Sequence, residues 1–218
     1  MHMIKVSRIG WVAGAGLGLA LAHAAPLYEN DFEKATVGKV PPDMLVLDGG
    51  FTVIQEGANK ALELPGAPLD AFGVLFGPSV QEDINLAVRV YGTSERRRYP
   101  TFGISLDGAS GYRLQVTPAK GLVELFRGDT SVASVPFKWQ SGTWTQLRLQ
   151  VRKVKPSEWR VEGKAWANGT TEPAGWTVQF TDKEAPRAGR PGLFGSPFAG
   201  TPIRYDDLVL TPVASPHE

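Results

Sequence analysis

The chain contains no cysteine. That absence removes disulfides, thiol nucleophiles and thiolate metal sites together. Histidine is nearly as scarce: His2 and His23 lie in the first two dozen residues, and His217 sits one residue from the C-terminus. A domain folded between those points holds no imidazole, so Ser-His-Asp hydrolysis, histidine-ligated zinc and histidine proton shuttles lose their central group. Carboxylates, Lys, Arg and Tyr remain for acid–base work. No excess of one charge exists either, with 23 basic residues against 22 acidic ones. That balance predicts no bulk attraction to nucleic acid or to an anionic membrane.

The single long apolar run is at the N-terminus. Lys5 and Arg8 precede Trp11–Ala22, which is too short to span a bilayer of about 30 Å as a helix. Ala22-His23-Ala24 then supplies a small–x–small cleavage pattern. Residues 1–24 are therefore expected to be a signal peptide, cut after Ala24. A protein so exported is periplasmic or extracellular, and holds no membrane anchor after cleavage. No cysteine follows the apolar run, which excludes a lipoprotein-type anchor. Residues 25–212 are expected to form one domain with a real core, and 213–218, with Pro216 and polar neighbours, a flexible tail.

Helical periodicity is also missing after the leader, and a period of two takes its place. Ile84, Leu86, Val88 and Val90 alternate with Asn85, Ala87, Arg89 and Tyr91. Phe102, Ile104 and Leu106, then Tyr112, Leu114 and Val116, then Leu147, Leu149 and Val151 repeat the pattern. Each set predicts a strand with one buried and one wet face, as in antiparallel sheets. Asp48-Gly49-Gly50, Asp107-Gly108, Lys120-Gly121, Gly128-Asp129, Ser141-Gly142 and Asn168-Gly169 punctuate the strands. Asn168-Gly169 predicts a type I′ turn. About a dozen strands at this spacing predict an all-β antiparallel sandwich.

The order of features carries a resemblance. Tyr28–Glu33 opens the domain; Gly111–Val116 and Gly121–Arg127 read as a hairpin; Gly142–Leu149 precedes Trp166, Glu172-Pro173 and Trp176; Gly192–Phe194 and Tyr205–Leu210 close it. Over residues 27–212 this resembles the concanavalin A-like lectin/glucanase superfamily, near its laminin-G-like and 3-keto-disaccharide hydrolase branches. The resemblance implies a two-sheet jelly roll whose first and last strands lie side by side. It also implies a glycan across one sheet, and a structural calcium that adjacent terminal strands would place between Asp31 and Asp206 or Asp207.

Carboxylate catalysis finds little support. The Glu-x-Asp-x-x-Glu motif of the resembled glucanases is absent. Glu29, Asp31 and Glu33 share a face but read as a solvated edge. If the apolar sets define the core, Arg89, Arg113, Gln115, Arg148 and Gln150 project the other way, where guanidinium forks suit sugar hydroxyls or carboxylates. Trp166 lies on the outward side of its strand and offers an aromatic platform, although with Glu172 and Trp176 it also reads as a packing cluster. The candidate ligand-binding set is thus Arg89, Arg113, Gln115, Arg148, Gln150 and Trp166, and the candidate metal pair is Asp31 and Asp207. Three readings stay open: a secreted non-catalytic glycan-binding sandwich, a glycoside hydrolase or lyase using Glu124 or Glu162, and a structural domain without sugar specificity.

Overall fold

The computed structural model describes residues 25–66, 70–108, 110–198 and 200–213. The expected signal peptide and residues 214–218 of the expected tail lie outside the described residues. Fifteen strands follow in chain order: β1 (Tyr28–Asn30), β2 (Leu45–Asp48), β3 (Thr52–Glu56), β4 (Asn59–Leu64), β5 (Phe72–Leu75), β6 (Ile84–Gly92), β7 (Thr101–Leu106), β8 (Tyr112–Thr117), β9 (Leu122–Arg127), β10 (Thr130–Pro136), β11 (Thr143–Lys155), β12 (Glu158–Ala167), β13 (Val178–Asp182), β14 (Gly192–Ser196) and β15 (Ile203–Pro212). Among the described residues there is no helix.

The strands form two antiparallel sheets. One runs β13-β12-β11-β6-β15-β4-β3, with β1 also paired to β15, and the other runs β10-β9-β8-β7-β14-β5-β2. The first and last strands are neighbours, Tyr28 opposite Leu210 and Asn30 opposite Leu208, as the resemblance implied. The expected hairpin is β8–β9.

The core lies between the sheets. Leu86, Val88 and Val90 of β6 and Leu147, Leu149 and Val151 of β11 are at most 2% exposed, facing Phe102, Ile104, Leu114 and Leu125 of the other sheet. Full burial of such side chains stabilises the fold by roughly 1.5–3 kcal/mol each. The alternation on β6 is strict along its whole length, so the sequence period and the buried face agree. β15 breaks it. Ile203 and Tyr205 point inward, and so do Leu208 and Leu210, which strict alternation would have put outside. A register shift between Asp206 and Val209, with Asp207 at φ 50°, absorbs the extra residue.

The Asn168-Gly169 expectation needs correction. Gly169 has φ 81° but Asn168 is not in the left-handed region. Thr170 N–H donates to the Ala167 carbonyl at 3.2 Å. Positive φ at the third turn position alone is the type II pattern. The chain leaves β12 here for a longer connection rather than a tight hairpin, so an I′ twist is not needed.

Candidate functional site

The sheets divide the six candidate ligand residues. Arg89, Arg148, Gln150 and Trp166 sit on β6, β11 and β12 of the eight-stranded sheet, whereas Arg113 and Gln115 sit on β8 of the seven-stranded one. The expectation that Arg89, Arg113 and Arg148 share one face is corrected accordingly. Alternation tells in from out within a strand; it does not say to which sheet a strand belongs.

Among the described residues the outward arginines of the eight-stranded sheet are held in ion pairs on that face, with Arg160 of β12 the exception. Arg89 lies 2.7 Å from Asp206 and 3.0 Å from Asp207, the first contact a hydrogen bond and the second an ion pair without hydrogen-bond direction. Arg148 pairs with Glu172 at 2.8 Å, and Lys164 with the same carboxylate at 2.6 Å. Gln150 donates to Glu162 at 2.9 Å, and Arg152 pairs with Glu162 at 3.2 Å. Trp166 and Trp176 flank Lys164, with the ammonium 6.0 and 4.8 Å from their rings. Lys164, only 6% exposed, also donates to the Pro173 carbonyl. Trp166, Glu172 and Trp176 therefore pack around a buried lysine.

Calcium does not fit the residues proposed for it. Asp206 is fully buried, accepting from Arg89 and Asn59, and Asp207 faces Arg89. Asp31 accepts the Glu33 backbone N–H. The Arg89 guanidinium already neutralises Asp206 and Asp207, so of the proposed pair only Asp31 is left without a cationic partner among the described residues. Among the described residues no group of three or more carboxylates or histidines is placed to hold a metal.

The outer face of the seven-stranded sheet is arranged differently. Cross-strand register lines up Leu45, Leu75, Gly192, Ser105, Arg113 and Phe126 in one row across six strands. The adjacent row carries Gly73, Phe194, Gly103, Gln115 and Glu124. Glycines leave the middle of the sheet low while leucines and phenylalanines rise on either side. A Cβ at Gly192 would come 2.7 Å from Ser105 Oγ and 3.0 Å from Leu75 Cδ2, so any side chain there would displace both and fill the trough floor. The result is a shallow trough of about 230 Å³ lined by Leu47, Gly73, Leu75, Ser105, Arg113 and Phe194, among others. Leu45 and Leu47 stand about half exposed at its outer end.

Arg113 is the polar centre of this trough. Its guanidinium carbon lies 4.6 Å from the Phe126 ring centroid and 4.6 Å from that of Phe194. Nε donates to Gln115 Oε1 at 3.2 Å. Gln115 donates to Thr117, and Thr117 to Glu124 at 2.7 Å. Burial holds the guanidinium below its ordinary pKa, while Asp129 and Glu124 act in the other direction from a distance. No carboxylate among the described residues forms an ion pair with it. Glu124, 4% exposed, is engaged by Thr117 and lies 3.4 Å from Lys120.

Sequence reasoning missed a second, larger cleft of about 490 Å³ at one end of the sandwich, lined by Asp107, Tyr112, Arg127, Phe180, Glu184 and Arg187, among others. Tyr112 donates to Asp182 at 2.6 Å, and Arg127 joins Asp182 to Glu184. Asp107 is 6% exposed, and both its carboxyl oxygens are buried without a partner among the described residues. Burial pushes its pKa up to about 8. Asp107-Gly108 read as a turn signal, and φ 66° at Asp107 and 83° at Gly108 bears that out. Nothing in the dipeptide announced that the turn would turn its carboxyl inward. Glu124 and Glu162, the carboxylates considered for hydrolysis, sit on β9 and β12 of different sheets, each already hydrogen-bonded. They do not converge on one substrate.

No protein-family model matches the sequence, and no curated protein matches it. Solved structures do match in fold. They include a protein of unknown function with a galectin-like fold from Bacillus subtilis (TM-score 0.63, 13% identity, covering 88% of this chain and 98% of that one). The exoplasmic/lumenal domain of VIP36, in a Ca2+/Man2-bound form, matches at TM-score 0.59 and 9% identity over 90% of this chain and 92% of that one. The carbohydrate-binding module CBM66 from Bacillus subtilis matches at 0.52 and 10% over 78% and 95%. At such identities the likeness is one of fold. The chain is a two-sheet antiparallel jelly roll with the concanavalin A-like fold of the superfamily its sequence resembles.

Proposed function

We propose that the protein is an exported, non-catalytic carbohydrate-binding sandwich that takes an oligosaccharide across the outer face of its seven-stranded sheet. One observation carries the reading: of the two outer sheet faces, the eight-stranded sheet holds Arg89, Arg148, Arg152 and Arg204 on its own carboxylates, leaving only Arg160 without an ion pair among the described residues, while the other sheet keeps an open trough. There Phe194 and Arg113 stand beside a floor of Gly73 and Ser105. Phenylalanine rings offer apolar surface to sugar faces, and Arg113 and Gln115 offer donors to sugar hydroxyls. The fold neighbours support sugar binding by what they are, a carbohydrate-binding module and a lumenal domain in a Ca2+/Man2-bound form. The trough crosses several strands at about 4.8 Å each, long enough for a short oligosaccharide.

A glycan array on the protein, with and without EDTA, tests the reading. Binding is expected to a subset of glycans, indifferent to EDTA and lost in Phe194→Ala. Binding that survives Phe194→Ala but is lost in Trp166→Ala would move the site to the other sheet. No binding to any glycan would favour an interaction domain without sugar specificity. Export is checked by sequencing the N-terminus of the secreted protein, which is expected to begin at Ala25.

A further inference from the structure

We infer that the ligand seated at Arg113 is anionic: an oligosaccharide carrying an oxyanion, a uronic acid carboxylate or a sulfate ester, which the guanidinium grips with its free edge. The inference rests on the glycan reading above and names the class of glycan.

The geometry leaves Arg113 little else to do. On the outer face of the eight-stranded sheet Arg89, Arg148, Arg152 and Arg204 each hold a carboxylate within 3.2 Å, and Arg160, the one outward arginine there without an ion pair among the described residues, has no aromatic ring against it and no trough beside it. Arg113 holds none, although it is partly buried. A positive charge withdrawn from water without a counter-ion is unfavourable, and an incoming anion removes that penalty. Two rings, Phe126 and Phe194, lie 4.6 Å from the guanidinium carbon. What stays available is the pair of terminal nitrogens. Nε is taken by Gln115, and neither terminal nitrogen hydrogen-bonds a described residue. Two parallel N–H groups on a planar fork fit two oxygens of one carboxylate or sulfate. The two rings and the Gln115 hydrogen bond hold the side chain in place, so little orientational freedom is lost on binding.

Local negative charge does not substitute for the ligand. Glu124 is bound to Thr117, with Lys120 nearby, and no ion pair joins Asp129 to Arg113 among the described residues. A neutral sugar would hydrogen-bond Arg113 but would leave its charge uncompensated. The ligand fitting both the apolar trough and the bare cation has sugar rings over Phe194 and an oxyanion at its Arg113 end.

The test is calorimetric titration with uronate oligosaccharides (galacturonate, mannuronate and glucuronate types), their methyl-esterified counterparts and a sulfated dextran oligosaccharide. The wild-type protein is compared with Arg113→Gln, Arg113→Lys and Phe194→Ala, each checked for native thermal unfolding. At least one acidic oligosaccharide is expected to bind about 10-fold or more tightly than its neutral counterpart, the size of a charge-assisted hydrogen-bond pair. Arg113→Gln is expected to abolish the preference, and Arg113→Lys to retain only part of it. Preference for uronate or for sulfate tells the two oxyanion sources apart. Equal affinity for acid and ester, with both lost in Phe194→Ala, would overturn the anionic inference and keep the glycan reading. No binding of any member, nor of any array glycan, would overturn both.

Discussion

Replacing Asp107 by asparagine is expected to flatten the pH dependence of stability. In the folded protein this carboxyl is pushed from 3.8 up to about 8 because it is buried with no hydrogen-bond partner among the described residues. Between those two values the folded state keeps a proton that the unfolded chain releases. Stability is therefore fully present below about pH 4 and is lost as pH rises towards 8. At about 1.4 kcal/mol per pH unit, the loss between pH 5 and pH 8 comes to about 4 kcal/mol. That is a large share of the roughly 5–15 kcal/mol by which domains are stable. Asparagine has nearly the same shape and no ionisation, at the cost of a carboxamide that is also unpaired. The assay is urea unfolding of both proteins at pH 5 and pH 8. The difference in unfolding free energy, variant minus wild type, is expected to grow by about 4 kcal/mol over that interval. Burial also raises the Asp206 pKa, but both proteins share that contribution and it cancels. Parallel pH profiles would refute the reasoning and show that Asp107 is solvated or paired in solution.

Three further outcomes follow from packing and pairing. Arg89→Ala strips the buried Asp206 of its ion pair, leaving Asn59 and the Asp207 N–H, and is expected to cost about 3–5 kcal/mol in chemical denaturation; a loss no larger than that of Arg113→Ala would contradict it. Gly163→Ala would put a methyl 2.5 Å from Leu114 Cδ1 and 3.1 Å from Val178 Cγ1 in the core. A loss of about 1–3 kcal/mol is expected from overpacking, visible as a lower thermal midpoint, and an unchanged midpoint would show the sheets able to part. Tyr112→Phe removes a 2.6 Å hydrogen bond to the buried Asp182, which keeps Arg127. About 1.5–3 kcal/mol is expected, and full stability of the variant would mean water replaces the hydroxyl.

Period-two patterns were enough to locate β6, β7, β8 and the centre of β11 and to orient their inward residues, because burial against one core is a property local to each strand. The absence of histidine and cysteine narrowed the chemistry before any fold was drawn, since composition survives folding unchanged. Which strands share a sheet was decided only by the tertiary structure. Arg89, Arg113 and Arg148 look equivalent along the chain, each an outward residue between apolar neighbours. Pairing sends β6 and β11 to one sheet and β8 to the other. Carboxylates from β15 and from the β12–β13 connection then close over Arg89 and Arg148, while Phe126 and Phe194 close around Arg113 and leave its charge unmatched. The inward turn of Asp107 and the bulge at Asp207 escaped the sequence for the same reason. Both depend on what the neighbouring strands leave room for, and contacts between residues distant in sequence set that room, not the run of side chains along either strand.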